Sequence, residues 1–358
     1  MKTADVIVVG GGLIGLAVAS GAAARGASVC VVGESRTGEA SAAGAGMLAP
    51  GAESDELRGD VVVRFAVAGR DLFPSYLQSI RERTGIEVPL DRSGILELSF
   101  DEKPASPPAG SEWLDAGALH ALEPTLADFT GALLHPYDGS VDNVVLLQAL
   151  RRLVRTYDAA VLVAGRARSI DVSGMRPRVT LASGDSIEGG FVVLAGGAWV
   201  SQLGGLPRPV PVRPVRGQML SLGASTLHHV TYGGGGYLVP RTGGRTLVGA
   251  TMEDVGYDCS TTQEGRDTLT SVAARIAPSL GAAPLLSHWA GLRPITPDGL
   301  AILGPDPDAP SLLYACGHGR NGILLAPITG ESIGAMAVGE AASFDLSPFA
   351  IGRFTAAA

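Results

Sequence analysis

Gly10-Gly11-Gly12-Leu13-Ile14-Gly15 carries glycine at all three positions of the G-x-G-x-x-G spacing. That spacing suits the binding of a dinucleotide pyrophosphate. Gly10 makes the tight turn, Gly12 lets a diphosphate come against the backbone, and Gly15 lets a helix pack on the preceding strand. Free N–H groups and the dipole at the start of that helix favour an anion. A structural glycine turn would have the same letters, so the flanks decide. Val6-Ile7-Val8-Val9 in front is β-branched throughout, and Glu34 stands 19 residues after Gly15, at the end of the next apolar run. An acid there is placed for ribose hydroxyls. Arg36 would meet a 2′-phosphate, but Glu34 would repel one, which favours an adenosine without it.

These features do not separate FAD from NAD. Two others favour a flavin. Ser41 to Pro50, SAAGAGMLAP, is a run of mostly tiny side chains beyond the second strand, as a flat ring lying along backbone needs. Near the other end, Gly317-His318-Gly319-Arg320-Asn321-Gly322 is a glycine-rich turn between a strand at 312–316 and a helix expected over 322–338, with Pro327 an early interruption. A helix N-terminus aimed at the ring edge that becomes negative on reduction would stabilise it.

The elements that must position these residues follow from periodicity. Residues 13–25 are Ala-rich and helical, and Gly26 follows as a C-terminal cap. With strands at 5–9 and 28–32 this is a βαβ unit. Helical spacing recurs over 61–83, 146–157 and 266–276. Strands are expected at 94–100 and 191–195, and as short antiparallel pieces at 217–222, 236–239 and 246–248. Residues 103–110 are Pro-rich and read as a surface loop. The cofactor signals lie at both ends of the chain, so the domains are discontinuous.

Composition narrows the function. Apolar residues make up 46% and charged residues 17% of 358 positions, enough for a large core. There are 35 acids against 27 bases and no basic block, which excludes nucleic acid as a partner. Residues 6–24 carry no charge and resemble a signal peptide or membrane span, but Gly10-Gly11-Gly12 would break such a helix at its apolar stretch, so no membrane is expected. Cys30, Cys259 and Cys316 form no CxxC pair, which fits a reducing cytoplasm. His228-His229 lacks further ligands, and no metal is expected.

At this point the motif set resembles the glycine oxidases of thiamine biosynthesis, within the D-amino-acid oxidase and sarcosine oxidase group. The pieces are GGGLIG, SAAGAGMLAP, Leu122-Glu123-Pro124, VVLAGGAW (192–199), PVRPVRGQML (211–220), GYLVPR (236–241), LVGATMEDVG (247–256), WAGLRPITPDGLAILG (289–304), GHGRNGILLAP (317–327) and Arg353-Phe354. They run in the family's order over nearly the whole chain.

The resemblance implies an α/β fold: a Rossmann-type FAD-binding domain (1–84, 140–207 and 290–358) with an inserted antiparallel-sheet α+β substrate domain (85–139 and 208–289). It carries FAD contacts onto Leu13, Ile14, Glu34, Ser35, Ala40, Ser41, Ala45, Gly46, Met47, and His318, Gly319, Arg320, Asn321, Gly322, Ile323 and Leu324, with adenine near Ala167. Arg293 and Arg320 would hold a substrate carboxylate; Tyr237 and Met252 would line the pocket. The substrate would be glycine or another small amino acid. Its α-hydride would pass to flavin N5, leaving an imine for thiazole synthesis, and O2 would be reduced to hydrogen peroxide. Relatives form tetramers. Two departures concern the pocket wall: Gly319 replaces an aromatic, and Gly233 to Gly236 replace polar residues. No Cys stands near Leu292-Arg293, where sarcosine oxidases tether flavin, so FAD is expected to be non-covalent. An FAD-dependent D-amino-acid or secondary-amine (sarcosine-like) oxidase or dehydrogenase of other metabolism, and a flavin-binding protein without turnover, are the competing readings.

Overall fold

The computed structural model describes residues 3–354 apart from 55, 56, 58, 102, 103, 105 and 106. Residues 103, 105 and 106 of the expected Pro-rich loop thus lie outside the described residues.

The β-branched runs form the centre of a parallel sheet. Its order is Ala160–Ala164, Val29–Gly33, Thr3–Val9, Ser186–Leu194, Leu312–Cys316. Antiparallel strands extend it: Ile302–Pro305 beyond Leu312–Cys316, and Arg178–Leu181 with Ala167–Asp171 alongside the first half of Ser186–Leu194. Alternate side chains leave on opposite faces. Val6, Val8, Val29 and Val31 enter one core with helices Leu13–Ala24, Asn143–Val154 and Ala326–Met336; Ile7, Val9, Cys30 and Val32 enter the other, with Ile170, Val179 and Ile187. Both faces are covered, which is why these runs contain no polar break. Residues 6–24, the candidate signal peptide, are thus a strand and a helix. Among the described residues no helix is long and apolar enough to cross a membrane.

A second, eight-stranded sheet stands against it. Its order is Leu285–Ile295, Arg213–Leu222, Arg245–Gly249, Gly236–Arg241, Val230–Gly233, Ile95–Ser99, Gly131–His135, Glu112–Asp115. All neighbours are antiparallel except Val230–Gly233 with Ile95–Ser99. Leu220, Leu238 and Val248 face helix Gln263–Ile276, while Met219, Tyr237, Val239 and Leu247 face Ala45, Met47 and Ala49 of the small-residue run. The seam between the two sheets is therefore lined by tiny side chains on one side and larger ones on the other. The expected domain boundary at 289/290 falls inside strand Leu285–Ile295, which pairs with Arg213–Leu222 along its length.

Four helices differ from expectation, one of them, Gln263–Ile276, only in starting three residues early after its cap Thr262. The 61–83 segment is two helices, Asp60–Asp71 and Phe73–Thr84, the second with Pro74 in its first turn. The 146–157 helix begins earlier, at Asn143, because Asp142 caps it by accepting from the N–H groups of Val144 and Val145 at 3.1 and 3.0 Å. The last helix starts only at Ala326; Pro327 opens it instead of interrupting it, as proline suits a first turn.

Helices Leu13–Ala24 and Ala326–Met336 pack backbone to backbone through glycine. A Cβ on Gly330 would lie 2.8 Å from the carbonyl of Ala17. Gly330→Leu should therefore destabilise the protein by at least about 2–3 kcal/mol through overpacking. A thermal melt matching the wild type would refute this account of the contact.

Candidate active site

A cavity of about 490 Å³ opens where the carboxyl ends of the parallel strands meet the second sheet. This is where open α/β sheets hold ligands. Of the residues expected at a cofactor, Gly10, Gly12, Leu13, Ile14, Glu34, Ala40, Ser41, Ala45, Gly46, Met47, Ala167, His318, Gly319, Arg320, Gly322 and Ile323 line it. Gly15, Ser35, Asn321 and Leu324 do not. Gly15 packs against the turn, where a Cβ would sit 1.9 Å from the Gly10 carbonyl oxygen, and Leu324 is buried in the helical core. Residues to which sequence reasoning gave no role also line the cavity: Gly196 to Trp199, Gly217, Met219, Thr251 and Glu53.

The cavity fits an FAD. Helix Leu13–Ala24 has Gly12 at its N-cap and no side-chain cap there, so its N-terminus is open to an anion. Ser41 Oγ accepts from the Leu13 N–H at 3.0 Å and draws the small-residue run over the turn. Arg36 donates to Glu34 at 2.7 Å and its guanidinium lies 5.2 Å over the Trp199 ring. The glycine-rich 317–325 segment meets the cavity as turns, and the helix N-terminus expected there lies further on, at Ala326. Cys316 reaches the lining, but burial pushes its thiol up to about 12, so it stays a protonated, unreactive group.

The polar groups of the second sheet converge on one end. Arg293, on strand Leu285–Ile295, lies across Gly217 of the paired strand, where a Cβ would come 2.1 Å from its Nη1. Any side chain at 217 would displace the guanidinium. Arg293 Nη1 donates to the Thr251 carbonyl at 3.0 Å. Burial opposes its charge, and the adjacent Tyr237 hydroxyl partly offsets this. Burial likewise pushes the Tyr237 phenol up, against the pull of Arg293; its hydroxyl donates to Met219 Sδ at 3.3 Å. Among the described residues Arg293 has no carboxylate ion-pair partner. Arg320 does: its Nη2 meets Glu53 Oε1 at 2.6 Å. Glu53 was missed because nothing in its local sequence marks it; only the need of Arg320 for a counter-ion could have found it. Met252, at the cavity mouth, is 61% exposed.

The comparisons agree with this geometry. The family model described as FAD dependent oxidoreductase matches residues 5–336. The glycine oxidase of Geobacillus kaustophilus (strain HTA426) is 33% identical over 98% of this chain and 97% of its own length. The bifunctional protein ThiO/ThiG of Synechocystis sp. is 35% identical over 98% of this chain, which spans about half (54%) of that relative. The crystal structure of glycine oxidase from Geobacillus kaustophilus superposes with a TM-score of 0.91 at 32% identity, covering 99% of both chains. The chain belongs to the FAD-dependent oxidoreductase family, and FAD is its cofactor.

His318 lines the cavity with its Nε2 3.2 Å from Thr329 Oγ1, and burial lowers its imidazole to about 3. The unfolded chain takes up that proton near the ordinary value of about 6.5. The folded-state value is depressed, so stability is intact above about pH 6.5 and is lost as pH falls from there toward about 3. His318→Gln should thus show a smaller drop in melting temperature between about pH 7.5 and 5 than the wild type. Equal drops would refute the assignment of a buried neutral imidazole.

Proposed function

We propose that the protein oxidises glycine or another small amino acid, with O2 as electron acceptor, and that the imine feeds thiazole synthesis for thiamine. The observation that carries this is Arg293: a half-buried guanidinium beside Tyr237, facing the cavity, with no carboxylate ion-pair partner among the described residues. A buried cation is costly until an anion meets it. A substrate carboxylate is that anion, and the planar fork of Arg sets its angle as Lys would not. Arg320 lines the same cavity and shares its charge with Glu53, so it supplies a softer second contact. Tyr237 offers a hydroxyl to the same carboxylate, and Met252 closes the mouth. The names of the glycine oxidase and ThiO/ThiG relatives support the substrate and the pathway.

FAD, held by the glycine turn, the small-residue run and the 317–323 segment, would supply the two-electron redox chemistry, with oxygen as the final acceptor. The chain contributes orientation and exclusion of water, which together account for several kcal/mol of barrier lowering. The substrate amine must arrive neutral. His318 is held by Thr329 and far below its ordinary pKa, so it stays neutral and adds no positive charge to the cavity wall. Gly233, Gly235 and Gly236 line the cavity without side chains, which leaves room for a substrate larger than glycine. We assign FAD to the residues of the expected set that line the cavity, held non-covalently, and the substrate to the second sheet, extended to Ile295. Free Cys30, Cys259 and Cys316 support a reducing, cytoplasmic setting.

A peroxide assay over glycine, sarcosine and small D-amino acids tests the proposal, and dye reduction without peroxide would favour a dehydrogenase. Arg293→Ala should raise KM about 10- to 100-fold, the loss of one charge-assisted contact, while the protein stays yellow. A colourless variant would show that Arg293 holds FAD and not substrate.

A further inference from the structure

Behind Arg293, on the side away from the cavity, lies a polar network that the reaction above does not use. Arg216 and Glu253 face each other in an antiparallel bridge, each N–H donating to the other's carbonyl at 2.9 Å. Arg216 is 4% exposed. Its Nε and Nη2 donate to Glu253 Oε2 at 3.1 and 2.5 Å, and its Nη1 donates to Asp258 Oδ2 at 2.7 Å. The other oxygen, Glu253 Oε1, accepts from the Thr251 hydroxyl at 2.5 Å and from Gln218 Nε2 at 2.8 Å. The Thr251 hydroxyl in turn accepts from the Gln218 N–H at 2.8 Å. Burial alone would raise the Glu253 carboxyl, but hydrogen bonds from Thr251, Arg216 and Gln218 outweigh it and keep the group ionised.

The network ends on one residue of the cavity wall, Thr251. Its hydroxyl is held by Glu253 and Gln218, and its carbonyl accepts from Arg293. A buried ion pair is weak evidence for stability, because apolar residues of similar volume often serve as well. What the pair does here is fix a direction. A carbonyl free to rotate would leave Arg293 with no defined plane, and a carboxylate gripped by it would present its α-carbon at no fixed angle.

We propose that Glu253 is a positioning residue: through Thr251 it holds the carbonyl that orients Arg293, and so sets the grip on a substrate carboxylate. The inference rests on the carboxylate-binding role of Arg293 proposed above.

Glu253→Gln in the holoenzyme keeps the size but sets an NH2 against donors, either those of Arg216 or those of Thr251 and Gln218. KM for the amino acid should rise about tenfold with kcat changed less than about threefold, and the Kd of acetate, a carboxylate without the amine, should weaken in parallel by calorimetry. In an Arg293→Lys background the same substitution should add almost nothing, because the two act on one contact. Additive losses in the two backgrounds would overturn the proposal. So would an unchanged KM and acetate Kd accompanied by a lower melting temperature, the mark of a structural role. If E253Q does not accumulate as yellow protein, Thr251→Val removes the hydroxyl at nearly constant shape and is read by the same outcomes. Wild-type protein that binds neither acetate nor any amino acid would sink the carboxylate role itself; wild-type binding that E253Q leaves intact sinks the positioning role alone.

Discussion

A half-buried guanidinium with no carboxylate ion-pair partner among the described residues is the constraint around which this protein is arranged. Arg293 sits in the seam between two sheets, where burial opposes its charge. Neutral oxygens, the Thr251 carbonyl and the neighbouring Tyr237 hydroxyl, partly compensate it. That is a deliberate shortfall in physical terms, since full pairing inside the protein would leave nothing for a ligand to supply. Arg320 represents the opposite solution in the same cavity, its charge met by Glu53, which is only 9% exposed.

The rest of the architecture serves that arrangement. The second sheet turns one face to helix Gln263–Ile276 and the other to the small-residue run. Because that run is nearly all Ala and Gly, the sheets approach without filling the space between them, and the cavity remains. Arg241 ties them together: its guanidinium donates to the carbonyls of Ala45 and Val141 and to Ser140 Oγ. The wall carrying Tyr237 and the small-residue wall are thereby held together, and precise orientation needs such a hold.

Much of this was legible in the residues. The β-branched runs announced a sheet buried on both faces, and they form one. The G-x-G-x-x-G turn stands between strand Thr3–Val9 and helix Leu13–Ala24 as its spacing requires. Local signals misled where proline was concerned: Pro327 read as an interruption yet opens a helix, and Pro74 opens a second helix inside a segment expected to be one. Asp142 as a cap was missed because the β-branched Val144 and Val145 that follow it do not mark a helix start. In the site, residues with a special chemistry or a motif around them could be picked out. Glu53 stands in no motif, and Gly217 and Thr251 lie in quoted motifs that gave them no role. Their roles come from pairing across the second sheet and the seam, a register that no local pattern encodes.

The cavity draws its walls from residue 9 to residue 323, and strand Leu312–Cys316 completes the parallel sheet beside Ser186–Leu194. A growing chain that has made only the first βαβ unit holds a phosphate-binding turn but no place for a ring. The cofactor can be captured only after synthesis has passed the last glycine-rich turn, so a yellow colour reports a finished chain. Tight binding at that stage stabilises the completed molecule over every truncated or partly folded one, by mass action alone.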